Sequence, residues 1–201
     1  MTATVLLLDP RWPTLIPLHL AGRISGEVAF TPEVPVDVRW ALDTAGGEHR
    51  WLISTDPDDP EVRRWQKEGA ATERVASLAD PVLQATRTMH AARRRGEWEQ
   101  EMTHKSLLPY LCEEAEEVAQ AIEDDLPVDA LKSELADLLL QILFHAEIAS
   151  ERGAFDFSDV ADAFVQKMRR RAPYLFDGST GLVDKATQDR LWAEGKAAEK
   201  R

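Results

Sequence analysis

Residues 109–127, "PYLCEEAEEVAQAIEDDLP", and residues 131–149, "LKSELADLLLQILFHAEIA", decide the fold. Around the first stretch, Leu107, Leu108, Leu111, Ala115, Val118 and Ile122 recur at three- and four-residue steps, the period of an amphipathic helix. On that helix Glu114 falls at one border of the apolar stripe and Glu117 lies one step further round the same side. Glu113 and Glu116 fall mostly on the far side. The second stretch repeats the i, i+3 spacing with Glu134 and Asp137, and Leu131, Leu135, Leu138, Leu139, Ile142 and Leu143 supply its core side. Only "DDLPVD" separates the two helices, so they are expected to pack as antiparallel neighbours with their acidic edges facing.

Carboxylates brought together in this way repel one another and lose hydration, a cost that cations between them relieve. A ligand set made only of oxygen favours Mg²⁺ or Mn²⁺ over zinc. An acidic run alone is usually a solvated helix face. The argument for a site rests on the second pair, because "LADLLLQILF" has little polar face to spare and a carboxylate there needs a partner. A di-iron carboxylate bundle is set aside, since its Glu-x-x-His pattern fails where Ile142 stands three residues before His145.

Outward from this hairpin the pattern stays helical. Helices are expected over roughly 82–94, 104–124, 127–151, 157–171 and 185–199, with Pro127 in a first turn, "RGAF" around Gly153 closing the long helix, Ser158 with Ala161 and Asp162 opening the next, and Pro173 ending it. Residues 1–80 read differently. "TVLLL", "TLIPLHL", "EVAF", "VDVRWAL" and "HRWLIST" are short apolar or alternating runs punctuated by Pro, Gly and Asp, which is a strand pattern. "DPDDPEVRRWQKEGA" suggests one short helix stopped at Gly69. Gly46 and Gly47 suit a hairpin or loop turn and lack the spacing of a phosphate-binding loop. The fold class is therefore mainly α: a helical bundle over 82–201 preceded by a small α/β unit over 1–80.

A formal charge of −12 over 201 residues opposes polyanion binding, so a nucleic-acid partner is not expected. Cys112 is the only cysteine, so no intrachain disulfide forms, and a reducing, cytoplasmic setting is the expectation. The N-terminus lacks the basic and apolar regions of a signal peptide, and no run reaches the length of a membrane span.

The order Glu113-Glu114-x-x-Glu117 followed by Glu134-x-x-Asp137 resembles the MazG family of nucleoside triphosphate pyrophosphohydrolases, in the all-α NTP pyrophosphohydrolase superfamily. The resemblance runs from "WEQEMTHKSL" through "LLLQILFHAEIASERGAFDFSDVADAF" to "KMRRRAPYLF" and "RLWAEGKAAEK", about residues 82–200. The opening "VLLLDPRWPTLIPL" is similar to the N-terminal segment of actinobacterial MazG proteins. The resemblance implies Mg²⁺ held by Glu114, Glu117, Glu134 and Asp137, with Mn²⁺ as a substitute and Glu113 serving a further ion or the attacking water. It implies nucleoside triphosphate substrates cleaved to monophosphate and pyrophosphate, with non-canonical or oxidised nucleotides as the targets of a house-cleaning role. Lys167, Arg171 and Lys196 are implied as phosphate ligands, Trp192 as an aromatic contact, and Trp98 with His104 as a substrate loop.

In that loop Gly96-Glu97 stand where the family has Cys-Pro, Glu99 replaces an Asp, and Met102 replaces a Gln; "APYLF" lacks the family's two histidines. Family members commonly continue past the segment matching "KAAEKR", so a longer parent protein is expected. The apolar helix and the family together imply a homodimer or higher oligomer. The rival is a catalytically silent helical dimer that binds nucleotides or a protein partner.

Overall fold

The computed structural model describes residues 2–20, 22–42 and 46–199. The chain divides into two compact units, Met1–Gln84 and Ala85–Arg201.

The first unit is built on strands β1 (Ala3–Leu7), β2 (Glu27–Phe30), β3 (Arg50–Ser54) and β4 (Ala71–Arg74), all paired parallel in the order β2-β3-β1-β4. Parallel neighbours need crossovers, which helices α1 (Val36–Ala41) and α2 (Pro60–Lys67) help to supply. The two central strands are covered on both faces, which is why "VLLL" and "WLI" read as unbroken apolar runs. Val5, Leu6, Leu7, Leu52, Ile53, Val62 and Trp65 form the heart of the core.

Two strand expectations are corrected here, and one strand is added. "VDVRWAL" is helix α1, because Pro35 at its N-cap presets the entry and the Val-x-Val pattern fits a short helix that buries only Val38. "TLIPLHL" forms turns that end in a single 3₁₀ turn, Leu18–Leu20. Strand β4 was not anticipated: its "ATER" is an edge segment with little buried side chain to mark it. The link from β2 to β3 is no hairpin. Gly46 and Gly47 lie in the loop after α1, at φ of 81° and 122°, a backbone that L side chains avoid.

The second unit begins within α3 (Pro81–Arg95) and continues through α4 (Glu97–Glu101), α5 (Leu108–Glu123), α6 (Val128–Ser150), α7 (Phe157–Arg171) and α8 (Lys185–Ala198). α5 starts four residues later than the periodicity suggested, because Pro109 fits a first turn and the preceding residues close on themselves through Thr103 and Ser106. A tight link joins α5 to α6: the Leu126 amide donates to the Ala121 carbonyl at 3.0 Å, Asp125 adopts φ 51°, and Pro127 serves as the N-cap of α6. α7 starts where it was expected, at 157, but its cap is Asp156 and not Ser158. Asp156 caps it, accepting from Ser158 and Asp159 amides, and the Asp159 carboxylate accepts from the Asp156 amide in return. Met89, Leu107, Leu143, Phe144 and Ile148 form the buried core of this unit.

Candidate active site

On α5 the covered line runs through Leu107, Leu111, Glu114, Val118 and Ala121, with both ends buried and the middle half-buried. Glu114 is therefore central to the α5–α6 seam and not at its border. Leu108, Ala115 and Ile122, expected in the core, are exposed. On α6 the covered line is Leu131, Glu134, Asp137, Leu138, Gln141 and His145, whereas Leu135, Leu139 and Ile142 are exposed. The reason is that both helices carry a second apolar stripe, and periodicity cannot say which stripe meets the neighbouring helix. Here the stripe carrying the acids does.

That choice brings Glu114, Glu134 and Asp137 together, one carboxylate oxygen of each lying within 4.8 Å of the others. Desolvation pushes the Glu114 carboxyl above the usual carboxylate range, and the charges of Asp137, Glu117, Glu113 and Glu134 push the same way. Glu117 and Glu113 are exposed and close enough to be felt, but neither belongs to the three-oxygen group. The donor set suits a hard divalent ion.

The expected phosphate ligands gather on α7 and α8. The Arg171 guanidinium donates to the Glu199 carboxylate, with Nε at 3.2 Å, and lies over the Trp192 ring at 5.2 Å. Arg170 donates to the same carboxylate at 3.3 Å. Lys167 and Lys196 are exposed, one turn before Arg171 and one turn after Trp192. Gly195 lets the two helices approach: a Cβ there would lie 2.5 Å from the Arg170 carbonyl oxygen.

The loop residues take a third position. Trp98 packs edge-on against Tyr110 of α5 and Phe144 of α6, at ring distances of 5.8 and 5.9 Å. His104 Nδ1 meets His145 Nδ1 at 2.8 Å. Sequence reasoning missed Arg93, which is 7% exposed. It donates to the Glu151 carboxylate and to the carbonyls of Glu99, Gln100 and Met102, fastening the segment that carries Trp98 to α6. In "RRR" it looks like any helix-ending arginine, so nothing local marks it. Gln141 and the second nitrogen of His145 were missed as well.

Family models match two regions: a MazG N-terminal domain over residues 3–75 and a MazG nucleotide pyrophosphohydrolase domain over residues 102–176. A protein of Mycobacterium tuberculosis named nucleoside triphosphate pyrophosphohydrolase is 40% identical over 98% of this chain and 62% of its own length. A namesake from Mycolicibacterium smegmatis is 38% identical over 98% of this chain and 63% of its own. The chain thus spans less than two thirds of these relatives. The nucleoside triphosphate pyrophosphohydrolase/pyrophosphatase MazG of Thermotoga maritima is 46% identical over 52% of this chain and 38% of its own length. A crystal structure of a mazG-related protein from Thermotoga maritima superposes with a TM-score of 0.50 at 24% identity, covering 57% of this chain and 97% of that one, a likeness of fold.

Proposed function

Because the chain belongs to the MazG family, carrying its N-terminal and its nucleotide pyrophosphohydrolase domain in that order, we propose that it hydrolyses nucleoside and deoxynucleoside triphosphates to the monophosphate and pyrophosphate. The observation that carries this reading is the half-buried trio of Glu114, Glu134 and Asp137, where desolvation and then the neighbouring carboxylate charges raise the Glu114 carboxyl, a cost that a cation would relieve.

Glu114, Glu134 and Asp137 would hold Mg²⁺, or Mn²⁺ in its place, with Glu117 one turn along α5 as the fourth carboxylate. When bound, the ion supplies neutralisation of the triphosphate and polarisation of the α-phosphorus. The chain's own residues do the rest. Glu113, exposed beside Glu114, orients the water that attacks the α-phosphorus and accepts its proton. Lys167, Arg171 and Lys196 offset the charge of the departing pyrophosphate, Arg171 exchanging its Glu199 partner for phosphate oxygens. Trp192 offers an aromatic face to the substrate. Non-canonical or oxidised nucleotides are the natural targets in this reading, and two copies of the chain form the working unit.

The test is product analysis on canonical and damaged nucleotides with and without Mg²⁺, separating pyrophosphate from orthophosphate. Pyrophosphate is expected only with metal. Glu117→Gln should lower the rate by roughly a hundredfold or more, since even outer-shell changes at metal sites cost 10–100-fold. Absence of turnover across the panel would favour a silent nucleotide-binding dimer.

A further inference from the structure

The α5–α6 seam continues beyond the acidic trio. Gln141 and His145 follow Asp137 along the same covered line of α6, about 6 and 12 Å further along the helix axis. Gln141 is 4% exposed, yet its side-chain oxygen is buried with no hydrogen-bond partner, and so is Nε2 of His145. An unpaired buried acceptor is destabilising, and an otherwise apolar helix could have carried leucine at that position without this cost. Two such groups one turn apart point to a polar occupant.

The surroundings say what kind. Trp98 and Tyr110 meet edge to face beside Phe144, which stands between Gln141 and His145 on α6, and each presents a good part of its ring to solvent. The 2.8 Å contact between the Nδ1 atoms of His104 and His145 requires a proton on one and a lone pair on the other. It holds the His145 ring in place and lets its Nε2 act either as donor or as acceptor, according to which Nδ1 carries the proton. Burial, and after it the neighbouring His104, lower the His145 imidazole below its ordinary range. A half-exposed aromatic pair packed on Phe144, with an unpaired buried amide oxygen and imidazole nitrogen at the flanking α6 positions 141 and 145, matches a flat heterocycle with an N–H on its edge.

We infer that Gln141 and His145 form the subsite that reads the hydrogen-bonding edge of the nucleobase, with Trp98 and Tyr110 as its aromatic wall. Gln141 accepts from an amino or imino N–H of the base, and His145 meets the adjoining position. The inference rests on the proposed triphosphate hydrolysis, since it places the base along the seam from the acids that handle the phosphates.

The test crosses the residue with the substrate's functional group in the full chain. kcat/KM is measured for wild type, Gln141→Leu and Gln141→Met with three triphosphate pairs: adenosine and purine riboside, inosine and purine riboside, cytidine and 2-pyrimidinone riboside. In each pair the second base lacks the N–H of the first. For at least one pair the wild type should prefer the N–H-bearing base by roughly ten- to a hundredfold, and both variants should erase that preference. Equal losses across every pair overturn the inference. So does an unchanged ranking with a raised thermal midpoint, which would mean that Gln141 holds only a structural water. Thermal midpoints also show that both variants fold. If the wild type releases no pyrophosphate, the hydrolytic reading fails on its own. The same pairs are then compared by calorimetric binding of their non-hydrolysable α,β-methylene analogues, and loss of discrimination in the variants still decides the subsite.

Discussion

Asp9, at the carboxyl end of β1, is 1% exposed and accepts from the Arg11 amide at 3.0 Å and from its guanidinium at 2.8 and 3.1 Å. Arg11 reaches on to Asp80 at 2.9 Å and to the Ser77 carbonyl at 3.1 Å. The Arg11 hydrogen bond holds the Asp9 carboxyl down to about 2 against the opposing effect of burial. A folded-state pKa below the unfolded value means stability that is present above about pH 4 and lost as pH falls through 2. The shift corresponds to about 2 kcal/mol. Urea unfolding of wild type and Asp9→Asn should therefore differ by about that amount at pH 6, and the gap should close toward pH 2; a gap that ignores pH refutes the linkage. Glu33 belongs to the same edge: burial would raise its carboxyl, but the Thr31 and Ser54 hydroxyls and nearby amides bring it down to about 2. None of this was legible in the sequence, because Asp9-Pro10 and Glu33 look like loop residues until parallel pairing collects the strand ends. Of the four acids expected from two i, i+3 pairs on adjoining helices, Glu114, Glu134 and Asp137 are gathered, whereas Glu117 stays outside the three-oxygen group.

Helices α5, α6, α7 and α8 were foreseen within a few residues because period and punctuation agree, and the α5 start, set by Pro109, is the largest offset. The faces were harder to read. α6 is apolar nearly all round, so its sequence carries no sign of which stripe meets α5, and only packing makes the choice. α1 was misread for a related reason: six residues of Val-x-Val alternation fit a strand and a short helix equally well. At the α7–α8 contact the sequence shows a glycine in mid-helix, which disfavours the helix by about 1 kcal/mol relative to alanine. The structure shows its compensation, since a methyl at Gly195 would lie 2.5 Å from the Arg170 carbonyl and 2.9 Å from the Arg171 Cα. Gly195→Ala should thus cost about 1–3 kcal/mol despite its better helix propensity. It should also move Trp192 and Glu199 away from Arg171. Thermal unfolding checks the first effect, and Trp192 fluorescence quenching checks the second. A stabilised variant with unchanged fluorescence would mean that the helices do not approach this closely in solution.

The molecule as a whole leaves a second apolar stripe uncovered. Leu108, Ile122, Leu126 and Val128 near the ends of the hairpin, and Leu135, Leu139, Leu140 and Ile142 along α6, are all exposed, Val128 at 82% and Ile122 at 59%. Exposed apolar side chains in such number on a helical hairpin are costly in water and favour an interaction surface. A chain with charge −12 gains little from pairing through polar surface, so the uncharged stripe is where two copies can meet with least repulsion. Two-fold pairing puts the same patch on both sides, so one substitution strikes the interface twice. Sedimentation of the full chain at micromolar concentration should give twice the monomer mass, and the double variant Leu139→Lys, Ile142→Lys should give the monomer. These leucines share α6 with Glu134 and Asp137, so losing the partner should also loosen the seam that gathers the acids. The variant is therefore expected to bind Mn²⁺ more weakly, as read by calorimetry, although no carboxylate has changed. A wild type that sediments as a monomer would assign the stripe to another cover; a monomeric variant with undiminished Mn²⁺ affinity would show that the acidic trio is assembled by the α5–α6 hairpin alone.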